Sequence, residues 1–175
     1  MKRSLAIAIA FLVILSSAAA QQVFKLVSPD KSFSVSFPGE PRHERNASDQ
    51  GPFHIEGHSY TFETSASKFV LSYAQLTPAP IDLKPNDAID SAISGTIENV
   101  SGKLLAQKPV NVRGKPARAV TIAVGENTVI DGRFVYVNPR VYQLLVLHRP
   151  GATPSFEQRF FDSFTASTLA PPHSN

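Results

Sequence analysis

The chain has 175 residues, no cysteine and a formal net charge of +3. The lack of cysteine excludes thiol nucleophiles, thiolate metal sites and disulfide bonds. Lys2 and Arg3 supply two of the 17 basic residues, so without them 15 basic residues face 14 acidic ones, a net charge of +1. These charges are scattered and form no basic stripe, so we expect no nucleic-acid partner.

The first 20 residues have the three parts of a secretory signal peptide. Lys2 and Arg3 precede an apolar run at 5–15, and the small residues 18–20 form a cleavage pattern. An uncleaved membrane anchor is the alternative, but a spanning helix needs about 20 apolar residues. The sequence therefore predicts export to the periplasm or the medium after cleavage near Ala20, and no membrane span in the mature chain. Residues 21–168 are predicted to form one domain and 169–175 a flexible tail.

Alternating residues predict the first strands of the domain. Phe33, Val35 and Phe37 alternate with serines, which is typical of a strand with one buried face. The polar stretch 42–52 has no such period and is predicted to be a surface loop. Further strands are predicted at 23–27, 55–62 and 69–76.

A helix with one apolar face is predicted in the middle of the chain, beginning at Asn86 or Asp87 and ending at Ser101 and Gly102. Four strands are predicted after it, at 104–112, 117–124, 128–137 and 141–147. Asp131 and Gly132 suggest a bulge or break in the third of these strands. The fourth is the most apolar run after the signal peptide and is predicted to be a central strand.

A second helix is predicted near the end of the chain. Ser155 and Gln158 have the spacing of a capping box, and Phe156, Phe160 and Phe164 form a stripe that we expect to pack in the core. The strands are expected to pair as hairpins. The predicted fold class is therefore α+β, an antiparallel sheet covered by helices in an α/β/α sandwich.

Four segments together resemble a known group of proteins: 33–38 with Pro41, 113–118, Arg133 with 140–144, and 160–164. Their succession resembles the exported bacterial proteins related to the PsbP/Mog1 fold, over most of residues 23–166. The resemblance implies an antiparallel sheet with helices packed on its faces. Its plant members are accessory subunits of a photosynthetic complex and its nuclear members bind a small GTPase. No binding motif of either is matched here, so the resemblance implies little chemistry.

Histidines and hydroxyl side chains give no recognisable catalytic or metal site. His54 and His58 lie four residues apart on a predicted strand, about 13 Å along it, which is too far for one ion. No serine lies in a Gly-x-Ser-x-Gly motif. We therefore predict no catalytic, cofactor-binding or metal-binding residues and no cofactor.

Asp131, Arg133 and Arg140 form the candidate cluster for a ligand or a partner. A hairpin closed at Asn138 and Pro139 is expected to bring the two arginines near each other, where they could hold an acidic group. The alternative is an ordinary salt bridge within the chain to Asp131.

The sequence favours a small exported non-catalytic domain that binds a partner protein or assists an envelope complex. One alternative is a periplasmic or extracellular hydrolase whose site assembles from distant polar residues. Another is a structural envelope component, which would associate with itself.

Overall fold

The computed structural model describes residues 23–78 and 83–167. The predicted signal peptide and the tail at 169–175 lie outside these ranges. The described part contains two helices and ten strands, in the order β1 (Phe24–Val27), β2 (Phe33–Phe37), β3 (Arg42–Gln50), β4 (Phe53–Glu63), β5 (Ser67–Thr77), α1 (Pro85–Asn99), β6 (Lys103–Val112), β7 (Lys115–Val124), β8 (Thr128–Val137), β9 (Arg140–His148), α2 (Glu157–Ser163) and β10 (Thr165–Ala166). No helix within these two ranges is both long and apolar enough to cross a membrane.

The strands form two antiparallel sheets. The large sheet has seven strands in the order β3-β4-β5-β9-β8-β7-β6, and the small sheet has the order β1-β2-β10. Strand β9 lies in the middle of the large sheet, as its apolar sequence predicted. The predicted antiparallel α+β class is confirmed, because each of these strand pairs is antiparallel.

The α/β/α sandwich was a wrong prediction for one of the two faces of the large sheet. Helix α1 covers the first face through Ala88, Ile89 and Ile93, which share a core with β7, β8 and β9. The other face is covered by the small sheet together with α2. Since α2 has seven residues, it is about 10 Å long and too short to cover a seven-stranded sheet alone.

Three local predictions were also wrong, each for a physical reason. The stretch predicted as a loop is β3, whose nine residues are all exposed, so that no apolar period marks it. The bulge predicted at Asp131 and Gly132 is absent, because β8 keeps its register with both neighbouring strands through Gly132. The glycine fits close packing at this point, since a Cβ atom there would lie 2.9 Å from the Val120 side chain. The predicted capping box is absent because Phe156 occupies the N-cap position and Gln158 bonds Asp162 instead.

The aromatic stripe of the second helix is buried as predicted. Phe156, Phe160 and Phe164 are between 0% and 6% exposed. The Phe160 ring lies 5.1 Å from that of Phe37 in the small sheet and 5.5 Å from that of Phe69 in the large sheet. The stripe therefore joins the two sheets.

Replacing Phe160 by alanine should lower the free energy of unfolding by about 3–5 kcal/mol, as truncation of a buried phenylalanine does. Urea denaturation followed by circular dichroism measures this change. Leu105→Ala is the control, because Leu105 is 56% exposed, and it should change the free energy by less than about 0.5 kcal/mol. Equal effects of the two substitutions would show that the stripe does not hold the fold.

Candidate functional site

An ion pair between the half-buried Asp131 and the buried His148 is the centre of the candidate site. Asp131 Oδ2 lies 2.8 Å from His148 Nε2, and Thr121 donates its hydroxyl to Asp131 Oδ1 at 2.7 Å. The other ring nitrogen of His148, Nδ1, lies 2.8 Å from the carbonyl oxygen of Arg149. Both ring nitrogens therefore face hydrogen-bond acceptors.

These contacts favour the charged form of His148. Burial acts to lower the pKa of His148, but the hydrogen bonds to the Asp131 carboxylate and the Arg149 carbonyl outweigh it and raise that pKa. Each ring nitrogen of His148 lies beside an acceptor oxygen, and neither is placed against a hydroxyl group that it could deprotonate. The pair is therefore not arranged as a nucleophile with its general base.

Glu157, the first residue of α2, completes the cluster. Among the residues that the structure describes, Asp131, His148 and Glu157 are the one group of three acidic or histidine side chains that could hold a metal ion. One ligand atom from each of them lies within 4.8 Å of those of the other two. Burial and the nearby charge of Asp131 raise the pKa of Glu157. Asp131 and Glu157 also line an open cleft of about 330 Å³ that Arg133 borders.

The structure separates the two arginines of the predicted cluster. Arg140 pairs with Val137 and Arg133 with Leu144, so the arginines lie four positions apart along the strands, about 13 Å. The guanidinium of Arg133 lies over the Phe161 ring at 4.7 Å. Neither arginine forms a salt bridge with Asp131, whose charged partner is His148.

Arg140 instead joins the large sheet to the turn between β1 and β2. Its guanidinium donates to Ser32, Tyr142 and Gln75, lies 3.6 Å from Asp30 and packs over the Tyr73 ring. Burial opposes ionisation of Asp30, but hydrogen bonds from Ser28 and Ser32 and the Arg140 charge lower its pKa to about 2. Arg140 is only 5% exposed, so its visible role is to anchor the turn between β1 and β2.

A polar groove of about 620 Å³ lies on the helix-covered face of the large sheet, beside α1. Small residues on the neighbouring strands β4 and β5 form its floor. In this floor Gly57 pairs with Ala74, and Ser59 pairs with Ser72. A Cβ atom at Gly57 would lie 2.1 Å from Asn46 Oδ1, so a larger residue at position 57 would require the exposed Asn46 side chain to move. Hydrogen-bonding side chains surround this floor: Glu44, Asn46, Asn99 and Gln143.

No protein-family model and no curated protein sequence matches this chain. Among solved structures, the solution structure of cyanobacterial PsbP (CyanoP) from Synechocystis sp. PCC 6803 is similar, with a TM-score of 0.59 over 89% of this chain and 98% of that chain. The chain has a PsbP-like fold. This confirms the resemblance inferred from sequence, and at 10% identity the likeness shows the fold alone.

The Asp131–His148 pair should make stability depend on pH near neutrality. The folded-state pKa of His148 is raised above the unfolded value of about 6.5, so its contribution is complete below that pH and is lost as pH rises through the folded-state pKa. Asp131→Asn should flatten this fall, and Glu126→Gln, in an exposed turn, should not. Unfolding free energies between pH 5 and 9 and NMR titration of the His148 ring measure the effect. A wild-type curve that does not fall above neutrality, or falls equally in Asp131→Asn, would contradict this assignment.

Proposed function

We propose that this protein is an exported, non-catalytic domain that binds a polar segment of a partner protein in the cell envelope. The observation that carries the proposal is the groove beside α1. It has a floor of small side chains and a rim of hydrogen-bonding groups, which suits an extended polypeptide chain.

The charged residues of the chain support a binding role over a catalytic one. Both ring nitrogens of His148 already lie beside hydrogen-bond acceptors. Arg140 already bonds Ser32 and Asp30 in the turn between β1 and β2. By contrast, Asn46 and Asn99 line open volume in the groove. A partner can bond to these two amides without first breaking a buried network.

The size of the groove alone does not distinguish a peptide segment from a small molecule. A groove of about 620 Å³ lies within the range of roughly 300–1,000 Å³ that is typical of small-ligand sites. Its rim carries the hydrogen-bonding side chains Glu44, Asn46, Asn99 and Gln143, whereas small-molecule pockets are lined predominantly by apolar and aromatic side chains. A peptide that bonds through its backbone amides matches this polarity better.

Site-specific cross-linking tests the groove directly. A photo-reactive residue placed at Ser59 should form an adduct with an envelope protein in cells, and the same residue at exposed Glu126 should not. Ser72→Arg, which fills the groove, should abolish the Ser59 adduct while leaving the circular dichroism spectrum unchanged. Equal adducts from both positions, or an adduct that persists with Ser72→Arg, would count against the groove.

Export is tested by removing residues 1–20. The shortened protein should stay inside the cell, whereas the full chain should appear in the periplasm or the medium without its first 20 residues, as measured by fractionation and N-terminal sequencing. The fold should be unchanged, because the first strand of the domain begins at Phe24. Export of the shortened protein at the normal level would contradict the signal-peptide assignment.

A further inference from the structure

The two edge strands of the large sheet differ in how they are protected from pairing with another chain. Strand β6 at one edge carries Lys103, Lys108 and Pro109 and has a shift of register between Leu104 and Ala106. Lysine, proline and bulges are the usual devices that keep an edge strand from pairing. Strand β3 at the other edge contains no lysine and no proline, and it pairs with β4 over its nine residues without a shift. Its outer edge is therefore a continuous template for a further strand.

Side chains hold β3 firmly against β4. The His43 ring stacks on the buried Tyr60 ring with centroids 4.3 Å apart, and His43 Nε2 lies 3.1 Å from His58 Nδ1. Arg45 Nε lies 2.6 Å from Glu56 Oε1 on the same neighbouring strand. A strand that is fixed in advance loses little conformational entropy when a second strand binds to its outer edge.

The charged residues of β3 have partners within the same chain. The strand carries two arginines and two acidic residues, so its charges balance. Arg42 lies 3.0 Å from Glu44, Asp49 Oδ1 lies 2.7 Å from His54 Nδ1, and Arg45 is bonded to β4. A strand that pairs with this edge therefore meets no charge of β3 that lacks a partner.

We propose that two copies of this chain pair through β3 in an antiparallel dimer with a two-fold axis at Asn46. Alternate residues of β3 bond β4, and the others turn their backbone N–H and C=O groups outward. Residues directly opposite each other in the new ladder must both be of the same kind, so the axis has to cross the strand at a residue and not between two residues. Asn46 is the middle of Arg42–Gln50, and an axis there pairs the full length of both strands.

This register also sets no like charges directly opposite each other. Counting outward from Asn46 sets four kinds of residue pair across the axis: Arg45 with Ala47, Glu44 with Ser48, His43 with Asp49, and Arg42 with Gln50. An axis at Arg45 would shorten the ladder and set two arginines opposite each other, which is destabilising. An axis at Ala47 would shorten the ladder as well.

The dimer places two grooves next to each other. Glu44 and Asn46 border the groove beside α1, and a two-fold antiparallel pairing keeps the same face of both sheets on one side. One groove then lies on each side of the axis. The pairing does not depend on the groove having a ligand, since it uses the backbone edge of β3 and not the groove floor.

Single cysteines report this register, because the chain has none of its own. The Asn46→Cys positions of two copies lie directly opposite each other, within the Cα separation of about 4.4–6.8 Å that a disulfide needs. Mild oxidation of the purified variant should give a disulfide-linked dimer. Ser48→Cys is the matched control on the same exposed strand. Position 48 is opposite position 44, so its two copies lie about 13 Å apart and should not link.

A charge placed on the strand tests the pairing without cysteine. Wild-type protein should show a monomer–dimer equilibrium in sedimentation, and Ala47→Lys should raise the dissociation constant about tenfold, since each lysine faces an Arg45 of the other copy. Within the chain, position 47 pairs with Glu56, so the lysine is compatible with the fold. Ala106→Lys, the same substitution on the exposed strand β6, should leave the constant unchanged.

Other outcomes would overturn the dimer and leave the groove proposal standing. These are a monomer at every concentration up to about 1 mM, equal linking of Asn46→Cys and Ser48→Cys, or an unchanged constant in Ala47→Lys. Ser72→Arg separates the two proposals in the other direction, because it fills the groove from β5 and should leave the dimer intact.

Discussion

The fold depends on the packing of aromatic rings between its two sheets. Phe33 and Phe37 reach from β2 into a core that Tyr142 supplies from the large sheet and Phe160 from α2. The rings of Phe33 and Tyr142 have centroids 5.5 Å apart and are tilted, a favourable arrangement for aromatic pairs. Without this contact the small sheet would keep its strand pairing and a few polar contacts, such as that of Arg140 with Ser32, and a three-stranded sheet with so short an edge strand needs an apolar partner to be stable.

The aromatic packing requires that a charged side chain beside it be paired, as Arg140 is. The arginine lies beside the aromatic core, where a charge must be paired to be tolerated, and it bonds Gln75 in the large sheet as well as Ser32 and Asp30 in the turn between β1 and β2. Its Nε atom is buried with no hydrogen-bond partner among the described residues. Such an atom has a free-energy cost, which the remaining contacts of the guanidinium and its position over the Tyr73 ring offset. Arg140 therefore belongs to the framework of the fold.

Elements with one buried face could be predicted from the sequence, and elements without one could not. Strand β2 and the phenylalanine stripe show clear periods because one side of each is buried. Strand β3 shows none because the backbone of β4 holds it and both of its faces are exposed. The covering of the second face was also missed, since the sequence does not show that β1, β2 and β10 leave the large sheet to form their own.

The candidate site could have been predicted more closely from strand register. A two-residue turn at Asn138 and Pro139 sets Val137 opposite Arg140, and counting from that pair places Arg133 opposite Leu144. The same count puts Asp131 and His148 on one face, two positions from direct pairing. By contrast, the approach of His43 to His58 could not be derived, because it needs the register of a strand that no apolar pattern marks.

Strand β4 presents different side chains to the two faces of the large sheet. Successive residues of a strand point to opposite sides of the sheet, so Ser59, which pairs with Ser72, lies on the helix-covered face, and Tyr60 lies on the face that packs against the small sheet. The exposed strand β3 is attached to this core by more than backbone pairing, because the His43 ring stacks on Tyr60 with centroids 4.3 Å apart. The strand that borders the groove is therefore fixed from the opposite face of the sheet, by a ring that belongs to the aromatic core.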